Sequence, residues 1–192
     1  GMSGLVTVGV SQASGAQRAG RAGREGPGAV YRCCTPSDWA RSPAAPTPEI
    51  LAADLTELAL ELACWGTPDG SGLAWVDTPP APAMAWAREV LVGLDLVAAD
   101  GAVTPLGRAV ESVPADVRPA RALLAAAPVL GVRRAAEATA LLTAGLRAPG
   151  GDLTALARQV RDGGPGAGTW RAEVRRLERA AKIGLLDEEE QR

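Results

Sequence analysis

From Asp116 almost to its end, this 192-residue chain is a run of helical segments cut by glycine and proline. "VRPARALLAAAPVLG", "RRAAEATALLTAGLR", "DLTALARQV" and "WRAEVRRLERAAKIGLL" are separated by breaks at Gly131, Pro149 to Gly151 and Gly163 to Gly168. That pattern predicts a small helical bundle. With aromatics at 3% and neither Phe nor His, its core has to come from Ala, Leu and Val, which alanine-rich helices supply well. In the last segment Trp170, Val174, Leu177 and Ala181 fall on one stripe, while Arg171, Arg175, Arg179 and Lys182 share another face. The stripe is the side expected to pack. The basic face is a candidate nucleic-acid contact, and the plainer reading is a solvated face with local pairs to Glu173 and Glu178.

The middle of the chain has a different grammar. "SPAAPTP", residues 42 to 48, reads as a linker, after which Thr47 is placed to cap a helix, Pro48 to begin it and Glu49 to favour its positive end. Leu51, Leu55, Leu58, Leu62 and Trp65 then recur at helical spacing before Gly66. Past a Pro/Gly-rich connector, Met84, Ala87, Leu91 and Leu94 mark a second helix. "LVAADGAVT" flanks Asp100-Gly101, a pair suited to a tight hairpin turn, and Thr104-Pro105 opens a further helix over "LGRAVES". Helix, helix, hairpin and helix in that order predict a winged-helix unit, a form that often binds DNA. Charge opposes that use. Residues 43 to 117 hold only Arg88 and Arg108 against eleven acids, a net of -9 that a phosphate backbone would repel. The expectation is a winged helix used for packing.

The flanking thirds are basic: residues 1 to 42 carry five arginines against Glu25 and Asp38, and residues 118 to 192 carry thirteen bases against nine acids. Cys33, Cys34 and Cys64 lack both a CxxC spacing and any histidine, so no metal site is expected. The odd cysteine count and the lack of a charged-then-apolar leader predict a cytoplasmic chain. No apolar run approaches the ~18 residues that span a bilayer, so no membrane partner is expected.

At the N-terminal end "LVTVGVSQ" and "GAVYRCCT" read as strands, with a short helix from Ser14 to Arg24 between them, a piece of parallel α/β sheet. That helix carries "AQRAGRAGREGPG", residues 16 to 28. On a continuous helix Gln17, Arg21 and Arg24 share one face and Arg18 turns aside. Guanidinium is permanently charged and planar and makes paired hydrogen bonds to phosphate. Small residues at 19, 20, 22 and 23 permit close approach. The run fits either a flexible Gly/Arg-rich arm or a loop that holds phosphates.

Residues 17 to 24 also resemble motif VI of the superfamily 2 helicases, QRxGRxGR, in its DEAH-box form. "GPGAVYR" is similar to the strand closing the second RecA-like domain of that group, and "LTELALELACWG" and "DGAVTPLGRAVESVP" resemble its winged helix. The Trp-Gly step and the arginine-bearing bundle look most like the bacterial HrpB subgroup. One departure is "ADVRPAR", where many members carry His-Pro.

The resemblance implies a mainly α chain in three parts. Residues 1-45 are an α/β remnant of RecA-like domain 2 with motif VI, 46-115 the winged helix, and 116-192 a ratchet-like helical bundle. Gln17 would position the attacking water or γ-phosphate, Arg21 and Arg24 would act as arginine fingers, and Arg18 would be structural. The parent would be an ATP-dependent RNA or DNA helicase using ATP and Mg²⁺. This stretch has no GxxxxGK[ST] loop, no DExH motif and one lysine, Lys182, so it is expected to be inactive alone and to bind neither ATP nor Mg²⁺. Its partners would be single-stranded RNA or DNA and the parent's N-terminal RecA-like domains. The alternative is a stand-alone winged-helix regulator with an Arg/Gly-rich nucleic-acid-binding arm, and a third reading makes the bundle a protein-interaction module.

Overall fold

The structure, a computed structural model, describes residues 9-190, with side chains described as far as Gly184. The chain separates between Ala53 and Asp54 into two compact units.

The first unit holds two helices, α1 (Gln12–Ala22) and α2 (Pro36–Arg41), and a single 3-10 turn, Glu49–Leu51. Ser11 starts α1 by accepting a hydrogen bond from Ser14 N at 3.2 Å. Thr35 starts α2 by accepting from Asp38 N at 3.1 Å, with Pro36 in the first helical position. The strand expected over "GAVYRCCT" does not form. Residues 28-35 are exposed and irregular, and among the described residues they enter no ladder. A strand needs a neighbour to take its backbone groups, and of the expected neighbour "LVTVGVSQ" the first half, residues 5-8, lies outside the described residues. Its last residue, Gln12, is helical, and the N–H groups of Gln12 and Ala13 donate to Pro43 O at 2.8 Å and Ala44 O at 3.0 Å. The α/β character expected of this part of the chain is thus not realised among the described residues.

The second unit is helical, with one hairpin and an irregular connector over residues 65-80. It comprises α3 (Thr56–Cys64), α4 (Ala81–Gly93), α5 (Pro105–Glu111), α6 (Val117–Leu130), α7 (Val132–Thr143), α8 (Leu153–Arg161) and α9 (Ala167–Glu190). The long helix expected from Pro48 is interrupted. It makes one 3-10 turn without a side-chain cap, and α3 begins only at Thr56. Asp54 accounts for the restart. Its carboxylate accepts from both Thr56 N and Thr56 Oγ1, a local bond that competes with helix continuation. Leu51 and Trp65, which flank α3, are 46% and 69% exposed, and the burial falls on Leu55, Ala59, Leu60, Leu62 and Ala63.

The hairpin is short, with Val97 and Val103 paired in one antiparallel bridge. Ala98 N donates to Ala102 O at 2.8 Å, and Gly101 takes the φ of +91° that its turn requires. Thr104 then caps α5, accepting from Gly107 N at 3.0 Å, while its hydroxyl donates to Asp95 O at 2.7 Å. The side chain that starts the helix therefore also ties it to the hairpin. Gly107 lies directly on the Leu96 carbonyl, where any Cβ would overlap the backbone.

α6 and α7 are joined by Gly131 alone, at φ 85°. α9 packs against α5, α6, α7 and α8, and its predicted stripe of Trp170, Val174, Leu177 and Ala181 is buried. Trp170 Nε1 donates to Glu137 O at 3.1 Å, which satisfies the indole at the α7 contact. A Cβ on Gly184 would stand 3.3 Å from Leu124 Cδ2 and 3.5 Å from Ala109 O, so the backbone of α9 comes close to both α5 and α6. No described helix is long and apolar enough to cross a membrane.

Candidate nucleotide-facing site and basic helix face

α1 presents Gln17, Arg18 and Arg21 to solvent. The helix stops at Ala22 with Gly23 as its C-cap, so Arg24 is placed by the following loop rather than by helical phase. The expected single face of Gln17, Arg21 and Arg24 is therefore broken after Arg21. The loop nevertheless returns Arg24 to Arg21. Both line one open cavity of about 370 Å³ with Ala22, Glu25, Gly26 and Pro27, and Gln17 is not part of its lining.

The glycines explain how the loop closes. A Cβ on Gly28 would overlap the Ala22 carbonyl, so only glycine lets the chain fold back onto the end of α1. Cβ atoms on Gly20, Gly23 and Gly26 would meet nothing within 4 Å. Packing inside the chain does not demand glycine there, and the space above them is free for a ligand or another protein surface.

The electrostatics favour a bound anion. Among the described residues neither Arg21 nor Arg24 enters an ion pair. Arg21 stands in the last turn of α1, where the helix dipole favours a cation, and Glu25 is the one acid in the lining. Two planar guanidinium groups around one open cavity can take a phosphate from one side, with paired N–H donors. The described residues include no group of three or more His, Cys, Asp and Glu able to hold a metal ion.

Two groups that the sequence reading passed over hold this site in place. Gln12 directs its side-chain amide at the carbonyls of Trp39, Ala40 and Ser42, at 3.2, 3.4 and 3.1 Å. The Trp39 ring lies against Gly15 so closely that no Cβ fits there, and the Arg32 guanidinium lies 4.4 Å from the ring centroid. The Thr-Pro device already recognised at Thr104 also occurs at Thr35-Pro36, and it would have revealed α2 and with it Trp39.

On α9, Arg171, Arg175, Arg179 and Lys182 are all exposed, opposite the buried stripe. Glu173 does not serve this face. It holds Arg176 through two bonds, of 2.9 and 2.7 Å, and accepts from Thr143 Oγ1 at 2.7 Å. The Arg176 guanidinium, with the Thr143 hydroxyl behind it, holds the Glu173 carboxyl below its ordinary range. Glu178 pairs with Lys182 at 3.2 Å. Arg171, Arg175 and Arg179 therefore have no ion-pair partner among the described residues.

No family model matches the chain. The relatives it resembles nonetheless fall in one class, the DEAH-box ATP-dependent RNA helicases. It is 36% identical over 125 residues to the pre-mRNA-splicing factor ATP-dependent RNA helicase prp22 of Schizosaccharomyces pombe, which covers 65% of this chain and 11% of that protein. It is 33% identical over 129 residues to the probable ATP-dependent RNA helicase DHR2 of Saccharomyces cerevisiae, 67% of this chain and 18% of that one.

Within the class the chain is HrpB-like. It is 42% identical over 91 residues to the ATP-dependent RNA helicase HrpB of Escherichia coli, 47% of this chain and 11% of that protein. Two crystal structures of E. coli HrpB match it at 30% identity with TM-scores of 0.75 and 0.78, over 93% and 90% of this chain and 21% of theirs. The mainly helical fold is the one those structures share. The chain thus spans between 11% and 18% of the length of these curated relatives.

Proposed function

We propose that this chain serves an ATP-dependent helicase of the HrpB type as the part that senses nucleotide state and passes it to a bound single strand. In this reading residues 1-45 close the second RecA-like domain, 46-115 form a winged helix, and 116-192 form the ratchet-like bundle. The observation that carries it is the pair Arg21 and Arg24, free of ion-pair partners among the described residues and lining one cavity. ATP, with Mg²⁺, supplies the phosphoanhydride bond that is cleaved. Arg21 and Arg24 reach the γ-phosphate across a cleft whose other wall is an N-terminal RecA-like domain of the parent, and neutralise the charge that develops there. Gln17, one turn back on α1, orients the attacking water.

The winged helix, at -9 over residues 43 to 117, serves for packing rather than for binding a phosphate backbone. Arg171, Arg175, Arg179 and Lys182 line the path of single-stranded RNA or DNA. From 171 to 182 the stripe extends ~16 Å along the helix at 1.5 Å per residue, and stacked nucleotides place a phosphate about every 3.4 Å along one strand. The stripe therefore matches four or five phosphates. The parent works in the cytoplasm, and this chain by itself turns over no ATP.

The test is Arg21→Ala in the full-length protein. Loss of an arginine finger lowers ATP turnover by ~10³-fold or more, and the expected drop is of that order with no change in fold. Turnover that stays at the wild-type rate overturns the reading, as does ATP hydrolysis by residues 1-192 alone.

A further inference from the structure

Helix α1 has a peculiarity that the arginines alone do not explain. It contains no buried residue, although it carries the phosphate-facing groups. Its attachment is concentrated at the end away from Arg21. Ser11, only 4% exposed, caps it. The N–H groups of Gln12 and Ala13 donate to Pro43 O and Ala44 O. The Gln12 amide, with two N–H donors to share, faces the carbonyls of Trp39, Ala40 and Ser42. The Trp39 ring sits on Gly15 one turn further along. Apart from the Ser11 cap, which stays within α1, each of these contacts is made with the same segment, residues 39-44, and that segment leads along the chain to Asp54, where the helical unit begins.

We infer that Gln12 is a positioning residue that couples the Arg21–Arg24 cavity to the chain entering the helical unit; this rests on the functional reading above. From Gln12 to Arg21 the helix is a rod of ~13 Å at 1.5 Å per residue. A phosphate that draws Arg21 toward it tilts or shifts that rod, and the Gln12 bonds carry the displacement into residues 39-44. Arg21 meets the ligand, and Gln12 acts through it. Ser11 still caps α1 when Gln12 loses its donors, so the helix survives while the attachment slackens.

Gln12→Glu in the full-length protein keeps the side-chain shape and replaces the amide donors by a carboxylate facing three carbonyls. Gln12→Lys restores donors, since an ammonium carries three. ATP turnover is measured with and without poly(U) RNA, alongside Arg21→Ala. For Gln12→Glu the expected result is a basal rate and KM for ATP close to wild type, with RNA stimulation reduced about 2- to 30-fold, the range for residues that carry coupling. Gln12→Lys is expected to recover that stimulation. Wild-type stimulation in Gln12→Glu, beside an impaired Arg21→Ala, overturns the coupling role and leaves the functional reading standing. A lowered basal rate in Gln12→Glu that Gln12→Lys does not recover overturns it too, because that is the mark of a merely structural residue. An Arg21→Ala protein with normal turnover removes the reading underneath and the inference with it.

Discussion

The two units of this chain are held together by different physics. In residues 9-53 one described residue, Ser11, is buried, and the helices are fixed by caps, a glutamine amide and one tryptophan ring laid on a glycine. In the helical unit Leu60, Leu62, Leu91, Leu96, Leu123, Leu156 and Leu177 are all under 2% exposed. Apolar burial is non-directional and tolerates repacking, whereas hydrogen bonds fix position and release with small displacements. The arginines proposed to face phosphate stand on the unit whose attachments can be made and broken at low cost. The basic face proposed for nucleic acid stands on α9, a helix anchored along its buried stripe. In the proposed reading a sensor and a track place opposite demands on stiffness, and the two units meet them with opposite means.

That contrast can be broken most directly through the core. Leu177→Ala removes a fully buried side chain where α9 packs on its neighbours, and a loss of about 2-5 kcal/mol is expected in denaturant unfolding of the helical unit. A cost below 1 kcal/mol would mean that the leucine core is not what holds this unit. A sharper comparison uses two threonines in the same dipeptide. Thr104→Ala deletes an observed cap and should cost about 1 kcal/mol, whereas Thr47→Ala deletes none and should stay within about 0.5 kcal/mol. Equal effects in thermal melts would show that the caps do not distinguish the two sites.

The smallest effect is one of pH. Glu173 has its carboxyl pK lowered in the folded state by Arg176 and then Thr143. Its contribution is therefore complete above the ordinary glutamate range and is lost as pH falls through the lowered folded value. Glu173→Gln should flatten that acid limb in melts taken across low pH and leave the neutral value little changed. Asp38 is lowered as well, chiefly by the Thr35 hydroxyl and then Arg41, but it is exposed, and solvent screening makes its acid limb the shallower of the two.

The sequence was most legible where local and tertiary signals agree. The α9 stripe, the Asp100-Gly101 turn and the Thr104-Pro105 cap all lie where spacing and turn chemistry put them, because each is reinforced by packing on the hairpin or the bundle. Thr47-Pro48 carries the same local signal, but Asp54 takes the Thr56 amide and hydroxyl and restarts the helix eight residues later. At "GAVYRCCT" the β-branched and aromatic residues favour a sheet only in pairing with another strand, and residues 28-35 enter no ladder among the described residues. At the site, residue types were readable and placement was not. Spacing identified Arg21 and Arg24, but only the Gly23 stop and the contact of Gly28 with Ala22 bring them to one cavity. Gln12 carried no local signal, because its partners at Trp39 and Ser42 lie about thirty residues away along the chain.

The single glycine between α6 and α7 bears on how the molecule is assembled as well as on what it looks like. A one-residue connection costs almost nothing to close, so this helix pair can form before any distant segment arrives, while α9 meets α5 only across the separation from Ala109 to Gly184. The pair is then the natural seed of folding, with α9 the closing element. Ratios of kinetic to equilibrium destabilisation should be high for truncations at Leu123 and low at Leu177, and the reverse order would place the seed elsewhere. A chain that folds in this order exposes its α9 docking groove until last, so the basic face of α9 is the final surface to be built.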